Sequence, residues 1–158
     1  MPRTPSEPEK RISPEFQRRL IEMMSDEDCS KSELATKAHI SVSVITRAEL
    51  YAIIPSVKVL IKIADCFEVS LPYLLGETDT KDFYKSDKAI SFHERLAALV
   101  EERGTNYSRI ASVMPFSKNF FYEWQRTNTL PSLDYLKALA EYFGVSMDYL
   151  LGRTDDRN

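Results

Sequence analysis

Apolar residues recur at helical spacing along most of this chain. Phe16, Leu20, Met23 and Met24 fall on one stripe of a predicted helix, and Phe92, Leu96, Leu99 and Val100 fall on another. No segment alternates with the period of two that marks a half-buried strand. The pattern then repeats as a whole. Residues 55–79 read PSVKVLIKIADCFEVSLPYLLGETD and residues 131–155 read PSLDYLKALAEYFGVSMDYLLGRTD, with Pro131 over Pro55 at an offset of 76 positions. The register holds without a gap back to Phe92 over Phe16, with roughly 19 of about 64 paired positions identical. A period this long, met only twice, means two copies of one small domain rather than a solenoid. The shared positions are those a fold needs: Leu60/Leu136, Ala64/Ala140, Phe67/Phe143, Val69/Val145, Leu74/Leu150, Leu75/Leu151 and Gly76/Gly152.

Capping signals divide each copy into five helices. Ser13-Pro14-Glu15 reads as N-cap, first-turn proline and first-turn acid, and Ser91 with Glu94 reads as a capping box. Gly104 is placed to end its helix in a left-handed conformation. A short helix follows over 31–38 or 107–114, with a small residue, Ala35 or Ala111, where a neighbour must approach. After a tight turn, 39–41 or 115–117, Ser41 and Ser117 stand where they would cap a third helix, 42–50 or 118–126. Ser56 and Ser132 introduce a fourth helix, and Ser70 and Ser146 a fifth that stops at Gly76 or Gly152. The expected fold is all-α: two tandem five-helix domains over 13–79 and 91–155. A disordered, proline-rich tail is expected over 1–12. A charged linker is expected over 80–90, from which Phe83 and Tyr84 pack on one of the domains.

Composition narrows the chemistry. At 158 residues, two copies leave each domain with a core of marginal size. No run approaches the ~18 apolar residues of a membrane span, and the start MPRTPSEPEKRISP lacks the apolar centre of a signal peptide. Cys29 and Cys66 have no CxxC spacing and no counterpart in the second copy, so they read as reduced thiols of a cytoplasmic protein. His39 and His93 lack partners at metal-ligand spacing, and no nucleophile–base constellation points to an enzyme, a cofactor or a small-molecule substrate. The net charge is −3, which does not suit a nucleic-acid binder unless Lys and Arg are locally concentrated.

The order Ala35, Ser41, Pro55-Ser56, Leu60, Ala64, Phe67, Val69-Ser70 and Tyr73-Leu74-Leu75-Gly76 is met again, ungapped, from Ala111 to Gly152. With a short helix, tight turn and capped third helix, each copy resembles the lambda-repressor-like, or XRE (Cro/CI-type), helix-turn-helix family. The resemblance covers nearly everything from 15 to 155. It departs at the turn, where His39 and Pro115 replace the usual glycine, and at Lys31 and Tyr107, which replace a glutamine. The arginine usual near the end of the first helix is Met24 or Val100, and its acidic partner is Glu49 in one copy and Gln125 in the other. The polar brace of the third helix is therefore expected to be lost.

The resemblance implies a sequence-specific regulator of transcription, a repressor of bacterial or phage type, that places its third helix in the major groove of double-stranded DNA. Val42, Ser43, Thr46 and Arg47 in copy one, and Lys118, Asn119, Tyr122 and Glu123 in copy two, would then face base edges. Ile45 and Ala48, or Phe121 and Trp124 with Phe116, would face inward. Lys31, Ser41, Arg109, Ser117, Arg126 and Asn128 would meet phosphates. Partners would be an operator duplex and either a second chain or an intramolecular pseudo-dimer, whose connector of about 12 residues would span up to about 40 Å. The alternative is a protein-interaction or antirepressor-like module. Copy two suits it better, with Pro115 in the turn, Glu123 on the reading face and exposed aromatics.

Overall fold

A computed structural model describes residues 11–158. Among these the protein is all-helical, with ten helices and two isolated β-bridges. Two compact units divide the chain: one holds residues up to Pro55 and Val59–Lys81, the other Ser56–Lys58 and Asp82–Asn158.

In the first unit α1 (Pro14–Asp26) starts as the caps predict, Ser13 accepting from the Phe16 amide at 3.2 Å. Helix α2 (Lys31–Ala38) opens on a capping box between Ser30 and Glu33, and α3 (Val42–Tyr51) on Ser41. Helix α4 (Val57–Phe67), from Val59 onward, and α5 (Leu71–Leu74) complete the unit. Phe16, Leu20, Leu34, Ile45, Leu60, Ile63, Leu71 and Leu74 are fully buried, which makes this core mainly aliphatic.

The second unit holds α6 (Phe92–Glu102), α7 (Tyr107–Ala111), α8 (Asn119–Thr127), α9 (Leu133–Phe143) and α10 (Met147–Leu150). Its core is aromatic. Phe116 packs edge-on against Phe121 and Trp124 at 5.3 and 5.2 Å, Phe92 meets Trp124 at 6.1 Å, and Tyr107 stacks on Phe121 at 4.5 Å. Gly104 lies at φ +59, as expected of a helix-ending glycine.

Two features at the chain ends of the expected domains differ from the sequence reading. The tail expected over 1–12 lies largely outside the described residues, but Arg11–Ser13 are held: Ile12 bridges Ile53, Ile54 donates to the Arg11 carbonyl at 2.9 Å, and Ser13 donates to Ala52 at 2.8 Å. The linker expected over 80–90 carries bonds of its own. Lys85 bridges Thr154, Thr154 Oγ1 donates to the Tyr84 carbonyl at 2.6 Å, and the Arg153 guanidinium covers the Phe83 ring at 4.6 Å. Lys81 lies over the Tyr73 ring at 5.9 Å.

Candidate nucleic-acid interface

The α2–turn–α3 segment is built around one left-handed residue. His39 takes φ 56, ψ 48, and its amide and that of Ile40 close the end of α2 onto Thr36 and Ala35. Glycine usually supplies this conformation at least cost. The turn then reaches Ser41, whose hydroxyl accepts from the Ser43 amide at 3.2 Å and lies 2.7 Å from the Ser43 hydroxyl. Val42, Ser43 and Arg47 are exposed and Thr46 half-buried, while Ile45 and Ala48 are buried as the helical stripe requires. Among the described residues Arg47 forms no ion pair, so its guanidinium is available on the outer face.

The corresponding segment of the second unit is wound differently. Pro115 fixes its own φ and disfavours helical backbone at Met114, so no left-handed turn forms there. Helix α7 ends at Ala111, short of the expected 107–114, and runs out through tighter bonds from Val113 to Ile110 and from Met114 to Ala111. Helix α8 starts one residue later than expected. Lys118 occupies the cap position in helical conformation with no side-chain cap bond, so the capping role expected of the Ser117 side chain is not filled. The Ser117 carbonyl instead accepts from Phe120 at 3.1 Å.

Lys118, Asn119, Tyr122 and Glu123 do lie on the exposed side of α8, and Phe121 and Trp124 on the buried side. Glu123, however, is engaged by Arg126 through two bonds of 2.8 and 3.0 Å, which neutralises both groups. The Glu-x-x-Arg spacing on one helix carries that signal in the sequence. Lys118 approaches the Tyr122 ring at 5.9 Å, Arg109 is exposed, and Asn128 ends α8 in a left-handed conformation at φ 51.

Lys31 is not a free cation either: its ammonium lies 3.5 Å from the Glu49 carboxylate. The expected loss of a brace on the third helix is therefore corrected. In the second unit Gln125 donates to the Tyr107 hydroxyl at 3.1 Å. Burial raises the Tyr107 pKa above the ordinary tyrosine range, and the Gln125 bond opposes the rise.

The two helix-turn-helix segments carry a slight local excess of cations. Residues 31–51 hold three Lys/Arg against two Asp/Glu, and residues 107–127 three against one, within a chain of net charge −3. Among the described residues no group of His, Cys, Asp and Glu could hold a metal ion, and no helix is long and apolar enough to cross a membrane. Both cysteines are free thiols, and burial pushes the Cys29 thiol up.

Residues 26–74 match the XRE-type helix-turn-helix family HTH_3. The matched span runs from the last turn of α1 through α5, so it contains the α2–turn–α3 geometry and the open Arg47 face. The match suggests a DNA-binding regulator of transcription. No curated protein matches the chain.

Proposed function

We propose that the protein is a sequence-specific repressor that reads duplex DNA with α3, and that the second unit is a divergent copy of the same module contributing α8 to one asymmetric site. The observation that carries this reading is the outward face of the first two turns of α3, where Arg47 forms no ion pair among the described residues, inside the segment that matches the helix-turn-helix family. Arg47 suits a guanine edge, Val42 a thymine methyl, and the amides at the start of α3 beside Ser41 a phosphate. In the second unit Lys118 suits guanine, Asn119 adenine, and Arg109 a phosphate. Because the outward residues VSxxTR and KNxxYE differ, the operator is an unequal pair of half-sites.

The test is binding-site selection with the whole chain, followed by titration against salt. A duplex reader loses affinity steeply as salt rises, because each phosphate contact releases counterions. A clean inverted repeat would point instead to a homodimer using one module per chain. A second reading, in which α8 contacts protein, is favoured by the closed Glu123–Arg126 pair and by exposed Val113, Phe120 and Tyr122. Under that reading Lys118→Ala leaves DNA affinity unchanged while Arg47→Ala lowers it.

A further inference from the structure

We propose that Lys31 and Glu49 form a positioning pair for α3, with Tyr107 and Gln125 as its uncharged counterpart on α8, and that Lys31 acts through Glu49 rather than on phosphate. This deepens the reading above and rests on α3 being the DNA-contacting helix.

The contact joins the first residue of α2 to the last turn of α3. Glu49 is held twice. Its carboxylate meets Lys31 at 3.5 Å, and its carbonyl accepts from Gln17 Nε2 of α1 at 2.7 Å. Both side chains of the ion pair are only partly exposed, at 37% and 29%. Two ties at one residue, reaching two different helices, resist rotation of α3 about its own axis. That rotation is what would swing Val42, Ser43, Thr46 and Arg47 away from a groove. Site side chains must be held within about 0.5 Å of their working geometry, so small rotations matter.

The second unit supplies an internal comparison. Tyr107 stands 76 positions after Lys31 and Gln125 stands 76 after Glu49, and these two also meet, at 3.1 Å. Ion pair and amide–phenol bond differ in every chemical respect except the two places on the helices that they join. The second tie is absent there: His93 stands where Gln17 does, and its buried Nδ1 has no hydrogen-bond partner among the described residues. Tyr107 is fixed instead by stacking on Phe121 at 4.5 Å. The third helix of each unit is thus pinned at an equivalent point, by charge in one and by an aromatic wedge in the other.

A phosphate-contacting Lys31 and a positioning Lys31 predict opposite results for its partner. The probe is duplex DNA enriched from a randomised pool by the wild-type chain, titrated with full-length variants across a range of salt. If the pair positions α3, Glu49→Gln and Lys31→Gln each weaken binding by about fivefold or more, and the double variant is no worse than the weaker single. Their salt slopes stay at the wild-type value. If Lys31 instead contacts phosphate, Glu49→Gln frees it and tightens binding, while Lys31→Gln lowers the slope by about 0.9. Either of those results overturns the proposal, as does additivity in the double variant. Failure of the wild-type chain to enrich any duplex removes the DNA reading itself, and the positioning role with it.

Discussion

The guanidinium of Arg19 lies 3.9 Å over the ring of Tyr73 and donates to the carbonyl of the same residue at 2.6 Å. It also donates to the Thr78 carbonyl at 3.1 Å and to Asp79 at 2.8 Å, so one buried cation ties α1 to α5 and to the segment beyond it. Arg95 repeats the arrangement, stacked on Tyr149 at 3.9 Å and paired with Asp155 at 3.5 Å. Arg19→Ala removes three hydrogen bonds and the stack on Tyr73 from a buried position and is expected to cost about 2–3 kcal/mol in urea unfolding. Arg19→Lys should recover little of this, because an ammonium neither stacks nor forks. A variant within about 0.5 kcal/mol of wild type would show the clamp to be incidental.

The glycines at the ends of the fifth helices separate two effects. Gly76 sits at φ +74, and a Cβ there would lie 2.8 Å from the Glu15 carbonyl oxygen. Gly152 sits at φ +78 with the Ile90 carbonyl pressed against the same place. Gly144, at φ +66, faces open space. Gly144→Ala should therefore cost about 1 kcal/mol from backbone strain alone, and Gly76→Ala clearly more. Equal melting temperatures for the two variants would contradict the close approach.

Ser41 and Ser117 look alike in sequence and differ in the fold. Loss of the Ser41 cap in Ser41→Ala is expected to destabilise by about 1 kcal/mol. Ser117→Ala should be near neutral, because no helix amide bonds its hydroxyl. Chemical denaturation of the two variants decides between a shared and a one-sided capping role.

The reading faces respond in opposite directions to loss of a charge. Arg47→Ala is expected to cost about 1–3 kcal/mol of DNA binding and to relax preference at one base pair. Glu123→Ala removes an anion and releases Arg126, so binding should tighten and the salt slope should steepen by about 0.9. Unchanged affinity and preference in Arg47→Ala would refute the assignment of α3.

Tyr107 links the second unit's stability to alkaline pH. Burial raises its folded-state pKa, so the folded chain holds the phenolic proton more tightly than the unfolded chain does. Stability from this residue is complete below the ordinary tyrosine pKa of about 10 and is lost as pH rises through the higher folded value. Tyr107→Phe should remove that loss and, at neutral pH, cost about 1 kcal/mol for the bond to Gln125. Denaturation midpoints at neutral and alkaline pH test both parts.

The sequence by itself determined the helices, most of their caps and the inward stripes. Those features depend on residues a few positions apart: Ser13 reaches Phe16, Ile45 and Ala48 share a stripe, and Gly104 ends the helix it follows. Only the tertiary structure decided which polar groups are spoken for. Lys31 meets Glu49, Gln125 meets Tyr107, and Arg19 covers Tyr73, each across 18 or more positions of chain. Thr154 likewise meets the Tyr84 carbonyl from 70 residues away. A helix periodicity places a side chain on a face, but the partner that fixes or neutralises it comes from another helix, and that meeting exists only once the core has packed.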